Sequence, residues 1–333
     1  MSTAALVEVF IIRIVTINYR AINLQESGRL GRGLIWMMGF ALVSLMLLGL
    51  SCAAPGDLKK TESPTFSAIV VSQDLAVGEN RVTFGLVDLD GMPVRTDHAS
   101  VSAVYYAPGD SQGKVVDSGT ADFVAWPPPG NRGVFVVDLR FDASGEGTES
   151  DPGLWELQVT TTTQDKIQVD AKAAIRVAKE SSTPALGSSA PPSVTLTASD
   201  VDNITMITSA SDPDKDFYQL SIHQALQEDK PLVVVFATPA FCVSATCGPQ
   251  LEILTRLKEK YQDRVNFIHV EAFENPHLME GGRPAGDLVA AVKDWGLPSE
   301  PWTFIVGSDG VVKAKYDQFV PEQELEKVLN QIS

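Results

Sequence analysis

Two cysteines, Cys242 and Cys247, are the residues of this sequence best suited to covalent chemistry. They have four residues between them, in the segment TPAFCVSATCGP, and the chain contains one further cysteine, Cys52. A helix N-terminus stabilises a thiolate through its dipole and its free backbone N–H groups, and the thiolate is the species that attacks a disulfide. The pair therefore predicts either exchange with protein thiols and disulfides, or a disulfide that only staples the loop.

The segments around the cysteines predict the elements that must position them. The run LVVVF at 232–236 is typical of a strand buried on both faces. Pro249 suits the first turn of a helix whose inward face carries Leu254 and Leu257. Further elements are predicted as helices at 221–228, 287–294 and 321–331, and as strands at 265–270, 302–306 and 311–316.

This order of elements resembles the thioredoxin fold, an α/β fold, over residues 216–333. The resemblance rests on the strand, loop and helix that carry the cysteines, on the segment GLPSEPWTFIV, and on the closing hairpin and helix. The family has a cis-proline at the start of the strand that faces its cysteines. The resemblance therefore implies that the Glu300–Pro301 peptide bond is cis. Cis bonds before proline are uncommon in folded proteins, and where one occurs it is a specific feature of the fold.

The same resemblance implies an activity and a set of site residues. Cys242 and Cys247 would be the catalytic pair of a thiol–disulfide oxidoreductase, and Pro301, Phe241 and Trp302 would dock the substrate. Attack of a thiolate on a protein disulfide gives a mixed disulfide, which the other cysteine resolves. The implied partners are a protein thiol or disulfide substrate and a second redox protein, and no cofactor is implied.

The spacing of the cysteines leaves their individual roles open. The family has two residues between its cysteines, so Cys247 matches either the second cysteine or the first. The length of the following helix favours the second position, with Cys242 displaced by extra loop residues. Pro249 at the helix start favours the first position. In that alignment CGPQ at 247–250 matches the family's Cys-Gly-Pro-Cys, and Gln250 replaces the second cysteine of the family. We expect Cys247 to be the more activated thiol.

Neighbouring chemistries fit the residues less well. A peroxiredoxin has Thr three residues before its reactive cysteine, where this chain has Ser244. Copper-delivery proteins resembling the cytochrome oxidase assembly factors need a closer cysteine pair and a distant histidine, whereas His269 and His277 lie too early. The buried acid of thioredoxins is also absent, because Val235 stands there. The alternative from another class is a non-enzymatic lipoprotein that binds a protein partner and uses its disulfide structurally.

The first 51 residues carry the pattern of an export signal. Arg29 and Arg32 precede an uncharged apolar run at 33–51, which ends directly before Cys52. The segment LGLSC resembles the lipobox of bacterial lipoproteins, and this resemblance implies that Cys52 is lipidated after cleavage. The alternative is an uncleaved membrane anchor, because such a run can nearly span a bilayer. Both place the rest of the chain on the extracytoplasmic face of the cell membrane.

The amino-acid composition changes after a short polar tether at 52–65. Residues 66–178 contain short runs rich in Val, Phe, Tyr and Thr, separated by turn signals, and they predict an all-β sandwich of immunoglobulin-like type. Such a domain would be a spacer or a partner-binding module. Residues 179–215 are predicted as a linker and the entry to the next domain, because Ser, Pro and Ala dominate at 179–200.

The charge balance excludes one class of partner. The chain has 42 acidic and 26 basic side chains and a formal net charge of −16. A surface this acidic repels phosphate backbones, so nucleic-acid binding is not expected. The four histidines are scattered, and none forms a cluster with the spacing of a metal site, so no metal is expected.

Overall fold

The computed structural model describes residues 66–126, 132–145, 153–242, 246–261, 263–278 and 286–333. They all belong to one compact unit, Thr61–Ser333. The predicted export signal, the lipidation site Cys52 and the tether lie outside the described residues. Within those residues, no helix is long and apolar enough to cross a membrane.

The first half of the described chain consists of strands. Their β-branched and aromatic runs place side chains alternately inside and outside; from Ala99 to Ala103, for example, every second residue is buried. The eight strands are β1 (Phe66–Val70), β2 (Gly78–Asp88), β3 (Pro93–Val94), β4 (His98–Tyr106), β5 (Lys114–Ala125), β6 (Gly133–Phe141), β7 (Leu154–Thr162) and β8 (Gln168–Ile175).

These strands form one antiparallel sheet, called here the large sheet. Its order is β1-β2-β6-β5-β4-β7-β8, with β3 paired to β2. The two ends of this path lie side by side, and the N–H of Val77 donates to the carbonyl of Ala178 at 3.0 Å. The predicted sandwich of two sheets is therefore wrong. Ladder hydrogen bonds run continuously from β1 to β8, so the sheet curls into a nearly closed barrel around one interior.

Aromatic side chains fill the interior of the large sheet. Trp155 is fully buried and lies against Tyr105 and Phe141, with ring centroids 5.0 and 4.9 Å apart. Its indole N–H donates to the carbonyl of Ala143 at 3.0 Å, so its one polar group is satisfied. Burial of Trp155 therefore leaves no unpaired indole N–H, and a tryptophan is stable in a protein interior when its N–H has an acceptor.

The second half of the chain forms a smaller sheet with helices. The strands are β9 (Leu232–Ala237), β10 (Asn266–Glu271), β11 (Trp302–Val306) and β12 (Val312–Asp317); the helices are α1 (Ile222–Ala225), α2 (Cys247–Tyr261), α3 (Ala290–Asp294) and α4 (Glu322–Ile332). The sheet order is β10-β9-β11-β12. β10 is parallel to β9, whereas β11 is antiparallel to both β9 and β12. All six residues of β9 are buried, as its unbroken apolar run predicts.

This second region is less helical than the sequence predicts. The helix predicted at 287–294 is only five residues long, because residues 287–289 extend beside the end of β10. There the N–H of Glu274 donates to the carbonyl of Asp287, and that of Val289 donates to the carbonyl of Ala272. These backbone groups are therefore used in strand-like pairing and are not available to a helix.

The helix predicted at 221–228 is also short and covers Ile222–Ala225 only. Pro231 follows soon after, and the residue before a proline disfavours helical dihedrals. The described residues thus contain twelve strands and four α-helices, of which two are five residues or shorter. The chain is predominantly β. The predicted thioredoxin-like α/β domain at 216–333 is therefore wrong as a fold class, and so is the assignment to that family.

An ion pair joins the large sheet to a helix of the second region. The guanidinium of Arg81, on β2, donates to both carboxylate oxygens of Glu324, on α4, at 2.8 and 3.0 Å. It also lies over the ring of Tyr316, 5.6 Å from the centroid. A bidentate pair of this kind fixes the orientation of both partners.

Residues 179–200, predicted as a linker, lie against the second sheet. The carboxylate of Asp74 accepts the hydroxyl of Thr183 at 2.7 Å and lies 3.5 Å from the Lys315 ammonium. Burial alone would raise the pKa of Asp74, but hydrogen bonds from 181–183 and the Lys315 charge bring it below its ordinary value. The N–H of Ala190 bonds to the turn between β11 and β12 at 2.9 Å. The division into separate domains stays a prediction.

Candidate functional site

A disulfide closes the loop between β9 and α2. Cys242 lies in that loop and Cys247 is the first residue of α2; they are bonded, with Cα atoms 6.0 Å apart. The helix starts at this point because the N–H of Gln250 donates to the carbonyl of Thr246 at 2.9 Å. The predicted disulfide between the two cysteines is thus confirmed.

The two sulfur atoms differ in their access to solvent. Cys247 is 0% exposed, inside the apolar cluster between α2 and the sheet, whereas Cys242 is half-buried at the edge of that cluster. The N–H of Cys247, at the start of α2, donates to Cys242 Sγ at 3.3 Å. The same N–H is placed to stabilise a thiolate on Cys242 after reduction. Burial therefore favours Cys242 over Cys247 as the sulfur that a partner protein reaches.

Gln250 fixes the first turn of α2. Its side chain is fully buried, and its Oε1 accepts the N–H of Val320 at 3.0 Å. Gln250 lies three residues after Cys247, hence on the same side of the helix. The amide therefore ties the part of α2 that carries Cys247 to the segment following β12.

The Glu300–Pro301 peptide bond is cis, as predicted. Pro301 is buried and precedes β11, in which Trp302 lies opposite Phe236 of β9. Because the two strands are antiparallel, Pro301 comes next to the end of β9, from which the cysteine loop departs.

The side chains predicted to dock a substrate differ in exposure. Trp302 is 2% exposed and stacks on Phe304 with ring centroids 5.7 Å apart, so it is part of the core. Phe241, directly before Cys242, is half-buried. The docking roles of Pro301, Phe241 and Trp302 stay predictions.

Two buried carboxylic acids near Thr238 were not singled out from the sequence. Glu271 ends β10, and Glu300 precedes Pro301. Burial raises the pKa of Glu271 to about 7 and also raises that of Glu300. The sequence signal for Glu271 was an acidic residue at the end of the apolar run of a buried strand. Parallel strands present their carboxyl ends at one edge of a sheet, which is where ligand sites commonly lie.

His269 lies on the same side of β10 as Glu271. Its Nε2 is 2.9 Å from the carbonyl of Ala237, which only accepts, so Nε2 carries the proton. Its Nδ1 then accepts the hydroxyl of Tyr218 at 2.6 Å. Burial lowers the pKa of His269 to about 4, so the imidazole is neutral near pH 7.

No metal site is evident in the part of the chain that the structure describes. No group of three or more His, Cys, Asp or Glu side chains is placed there to hold an ion.

Comparison with known proteins gives little. No family model and no curated protein matches the chain. Among solved structures, a match is the crystal structure of MtrC from Shewanella baltica OS185, at 12% sequence identity and a TM-score of 0.24. It covers 34% of this chain and 22% of that chain, and so low a TM-score carries no argument about fold or function.

Proposed function

We propose that Cys242–Cys247 is a redox-active disulfide that exchanges with the thiols and disulfides of other proteins. The observation that carries the proposal is the asymmetry of the pair. Cys242 is half-buried and receives the N–H of Cys247, whereas Cys247 itself is fully buried. Exchange needs one sulfur that a partner can attack and a second, sheltered sulfur that closes the bond again.

The proposed reaction proceeds through a mixed disulfide. A thiolate of the partner protein attacks Cys242 Sγ, the Cys242–Cys247 bond breaks, and Cys247 leaves as a thiolate that takes up a proton. A second thiolate of the partner then attacks the partner sulfur of the mixed disulfide and releases Cys242. The partner gains a disulfide, and two electrons pass to the cysteine pair. The reverse sequence reduces a partner disulfide, and a second dithiol or disulfide protein resets the pair.

We also propose that this chemistry takes place on the extracytoplasmic face of the cell membrane. The support comes from Arg29 and Arg32, the apolar run at 33–51 and Cys52, which suit a lipid anchor or an N-terminal membrane anchor. A disulfide also persists more readily where cytosolic reductants are absent. Phe241 is proposed to line the docking surface, since it directly precedes Cys242 and is only partly buried, and Pro301 is proposed to support that surface from beneath, next to the end of β9.

The reduction potential of the pair tests this proposal. It should be measured by equilibration with glutathione or a dithiol, in a chain with Cys52→Ala so that only the pair reacts. We expect a potential above roughly −300 mV and exchange with a dithiol protein. A potential far below that value, with no exchange, would mean that the disulfide is a structural staple in a non-enzymatic protein.

Matched single variants test the roles of the two cysteines. Cys247→Ala leaves the accessible sulfur without its resolving partner, so mixed disulfides should accumulate on Cys242. Cys242→Ala leaves only a buried thiol, which should capture little. Mass spectrometry of non-reduced adducts measures both. Equal capture by the two variants would contradict the assignment of Cys242 as the attacked sulfur.

A further inference from the structure

An open groove lies along the N-terminal part of α2, beside the disulfide. Its volume is about 470 Å³, within the range of clefts that hold ligands. Its lining comes from α2, through Gly248, Leu251 and Thr255, and from the loop at 209–214. Because α2 begins at Cys247, the groove runs along the helix that carries one of the two sulfur atoms.

The groove reaches the segments on both sides of the disulfide. Ala240, in its lining, lies two residues before Cys242, and Gly248, also in its lining, directly follows Cys247. The N–H of Ala240 donates to the hydroxyl of Ser209 at 3.2 Å, which holds the cysteine loop at the groove. Neither cysteine is itself part of the lining. The groove is therefore placed to hold the residues that flank a partner's cysteine while that cysteine reacts with Cys242.

The charged side chains of the groove are all acidic. Asp212, Asp214 and Glu252 line it, and its described lining residues include no Lys or Arg. Asp212 and Glu252 are exposed, so a partner protein can reach their side chains. The next basic side chain of α2 after Glu252 is Arg256, which donates to the carboxylate of Glu322 at 2.9 Å. The groove therefore presents negative charge that α2 does not compensate.

Lys258 shows how this part of the chain holds a cation. Its ammonium lies 2.7 Å from the carboxylate of Asp214 and 5.8 Å from the ring centroid of Phe217, and both of these partners line the groove. Carboxylates and aromatic faces both attract a cation. Lys258 thus compensates Asp214, whereas Asp212 and Glu252 form no ion pair with a described residue. These two carboxylates remain for a cation that comes from another molecule.

We propose that this groove docks a positively charged segment of the partner protein, with Lys or Arg beside its reactive cysteine. The basic side chains would pair with Asp212 and Glu252, and the apolar parts of the segment would lie against Pro213 and Leu251. Complementary charge raises the rate at which two proteins meet, and like charge disfavours the wrong partner. The inference rests on the proposed disulfide exchange and gives the class of substrate for it.

Three short peptides test this preference. Each has a central cysteine, flanked on both sides by two lysines, two glutamines or two glutamates. Alkylation and mass spectrometry measure the rate at which each peptide reduces Cys242–Cys247 in the Cys52→Ala chain. Each rate is divided by that of the same peptide with hydroxyethyl disulfide, a neutral disulfide, which removes differences in thiolate content.

Salt should reduce the preference. At about 20 mM salt we expect the basic peptide to react at least about 10-fold faster than the acidic one. At about 300 mM salt the ratio should fall to about threefold or less, because salt screens exposed charges. A ratio near one at both salt concentrations would overturn the proposal.

Matched variants separate the groove from the acidic surface as a whole. Asp212→Asn/Glu252→Gln removes two charges from the groove and should slow the basic peptide about 3- to 10-fold at low salt. Asp90→Asn/Asp110→Asn removes two exposed charges from connections between strands of the large sheet, and it should slow the peptide less than about 1.5-fold. The circular dichroism spectrum and the thermal unfolding midpoint show that each variant is folded.

The neutral peptide distinguishes a failure of this proposal from a failure of the exchange. It should react equally with the original chain and with both variants. If it reacts but the two variants slow the basic peptide equally, the disulfide exchanges and the groove does not select the partner, so this proposal is refuted. If none of the three peptides reduces the disulfide, the proposed exchange is wrong, and the preference for a basic partner is wrong with it.

Discussion

The large sheet and the second region bury polar side chains very differently. Among the described residues of the large sheet, Thr83 is the one polar side chain that is buried, and its interior is otherwise apolar and aromatic. The second region buries Gln250, Lys258, His269 and Glu271 within or beside its core. Buried polar groups lower the stability of a fold unless they are fully hydrogen-bonded. Their presence therefore indicates candidate functional sites.

The carboxyl groups show the same contrast. Burial alone would raise the pKa of Glu156, on β7, but hydrogen bonds from Gln158, Lys172 and Tyr106 bring it below its ordinary value. Glu271 also accepts hydrogen bonds, including the N–H of Ser209 at 2.7 Å, but burial outweighs them and raises its pKa to about 7. Hydrogen bonds therefore outweigh burial at Glu156, whereas burial outweighs hydrogen bonds at Glu271.

The largest loss of stability is expected when an aromatic side chain is removed from the interior of the large sheet. Trp155→Ala should lower the free energy of unfolding by about 3–5 kcal/mol, because it leaves a cavity in a packed interior. Guanidinium-induced unfolding measures the loss, and Leu154→Ala, at an exposed neighbour, is the control. The reduction potential of Cys242–Cys247 should not change, and a shift would show that the two regions are not energetically separate.

A pH series probes the two acids with opposite signs. The pKa of Glu271 is raised in the folded chain, so its stabilising effect is present below about pH 4.5 and is lost as pH rises through about 7. That loss is on the order of 3 kcal/mol. Glu271→Gln should remove it, and urea unfolding between pH 4 and 8 measures the change.

Glu156→Gln provides the counterpart in the large sheet. The pKa of Glu156 is lowered in the folded chain, so its contribution is present above the unfolded pKa of about 4.5 and is lost as pH falls. The variant should therefore lose stability at neutral pH and approach the original chain in acid. The same pH dependence in both variants would contradict the contrast between the regions.

Reduction of the disulfide should destabilise the second region moderately. The chain-entropy model gives about 2 kcal/mol for a bond that closes so short a loop. Urea unfolding with and without reductant measures the difference, and Cys242→Ala/Cys247→Ala should be insensitive to reductant. Complete unfolding on reduction would favour a structural staple, because exchange requires a reduced form that stays folded.

The smallest effect concerns the ion pair between the large sheet and α4. Arg81→Ala should cost about 1–2 kcal/mol, because Arg81 is largely buried and donates twice to Glu324. A double-mutant cycle with Glu324→Ala isolates the pairwise contribution. Arg140→Ala, whose pair with Glu79 is exposed on both sides, should cost less than about 1 kcal/mol. Equal losses would mean that burial does not strengthen the contact between the large sheet and α4.

The strands of the large sheet were predictable because their signal is local. Alternating β-branched and aromatic residues bounded by turn signals specify such strands, as at Gly133–Phe141. How the strands pair was not predictable in the same way. Whether they form two sheets or one curled sheet depends on contacts between β1 and β8, about a hundred residues apart in the chain.

The same distinction applies to the candidate sites. The Cys242–Cys247 disulfide was one of the two possibilities that the cysteine pair predicted, and the cis Glu300–Pro301 bond was implied by the thioredoxin resemblance. The sequence overestimated the helix at 287–294, since backbone pairing with residues 272–274 competes with helical hydrogen bonds. It also overestimated the helix at 221–228, which ends ahead of Pro231.

Only the tertiary structure decided which cysteine is sheltered and which acids are buried. Burial depends on what the rest of the chain places around a residue. Cys247 is covered by the core between α2 and the sheet, and Glu271 is buried at the end of β10, where its pKa is raised. No spacing in the sequence carries that information, because desolvation is a property of the assembled fold.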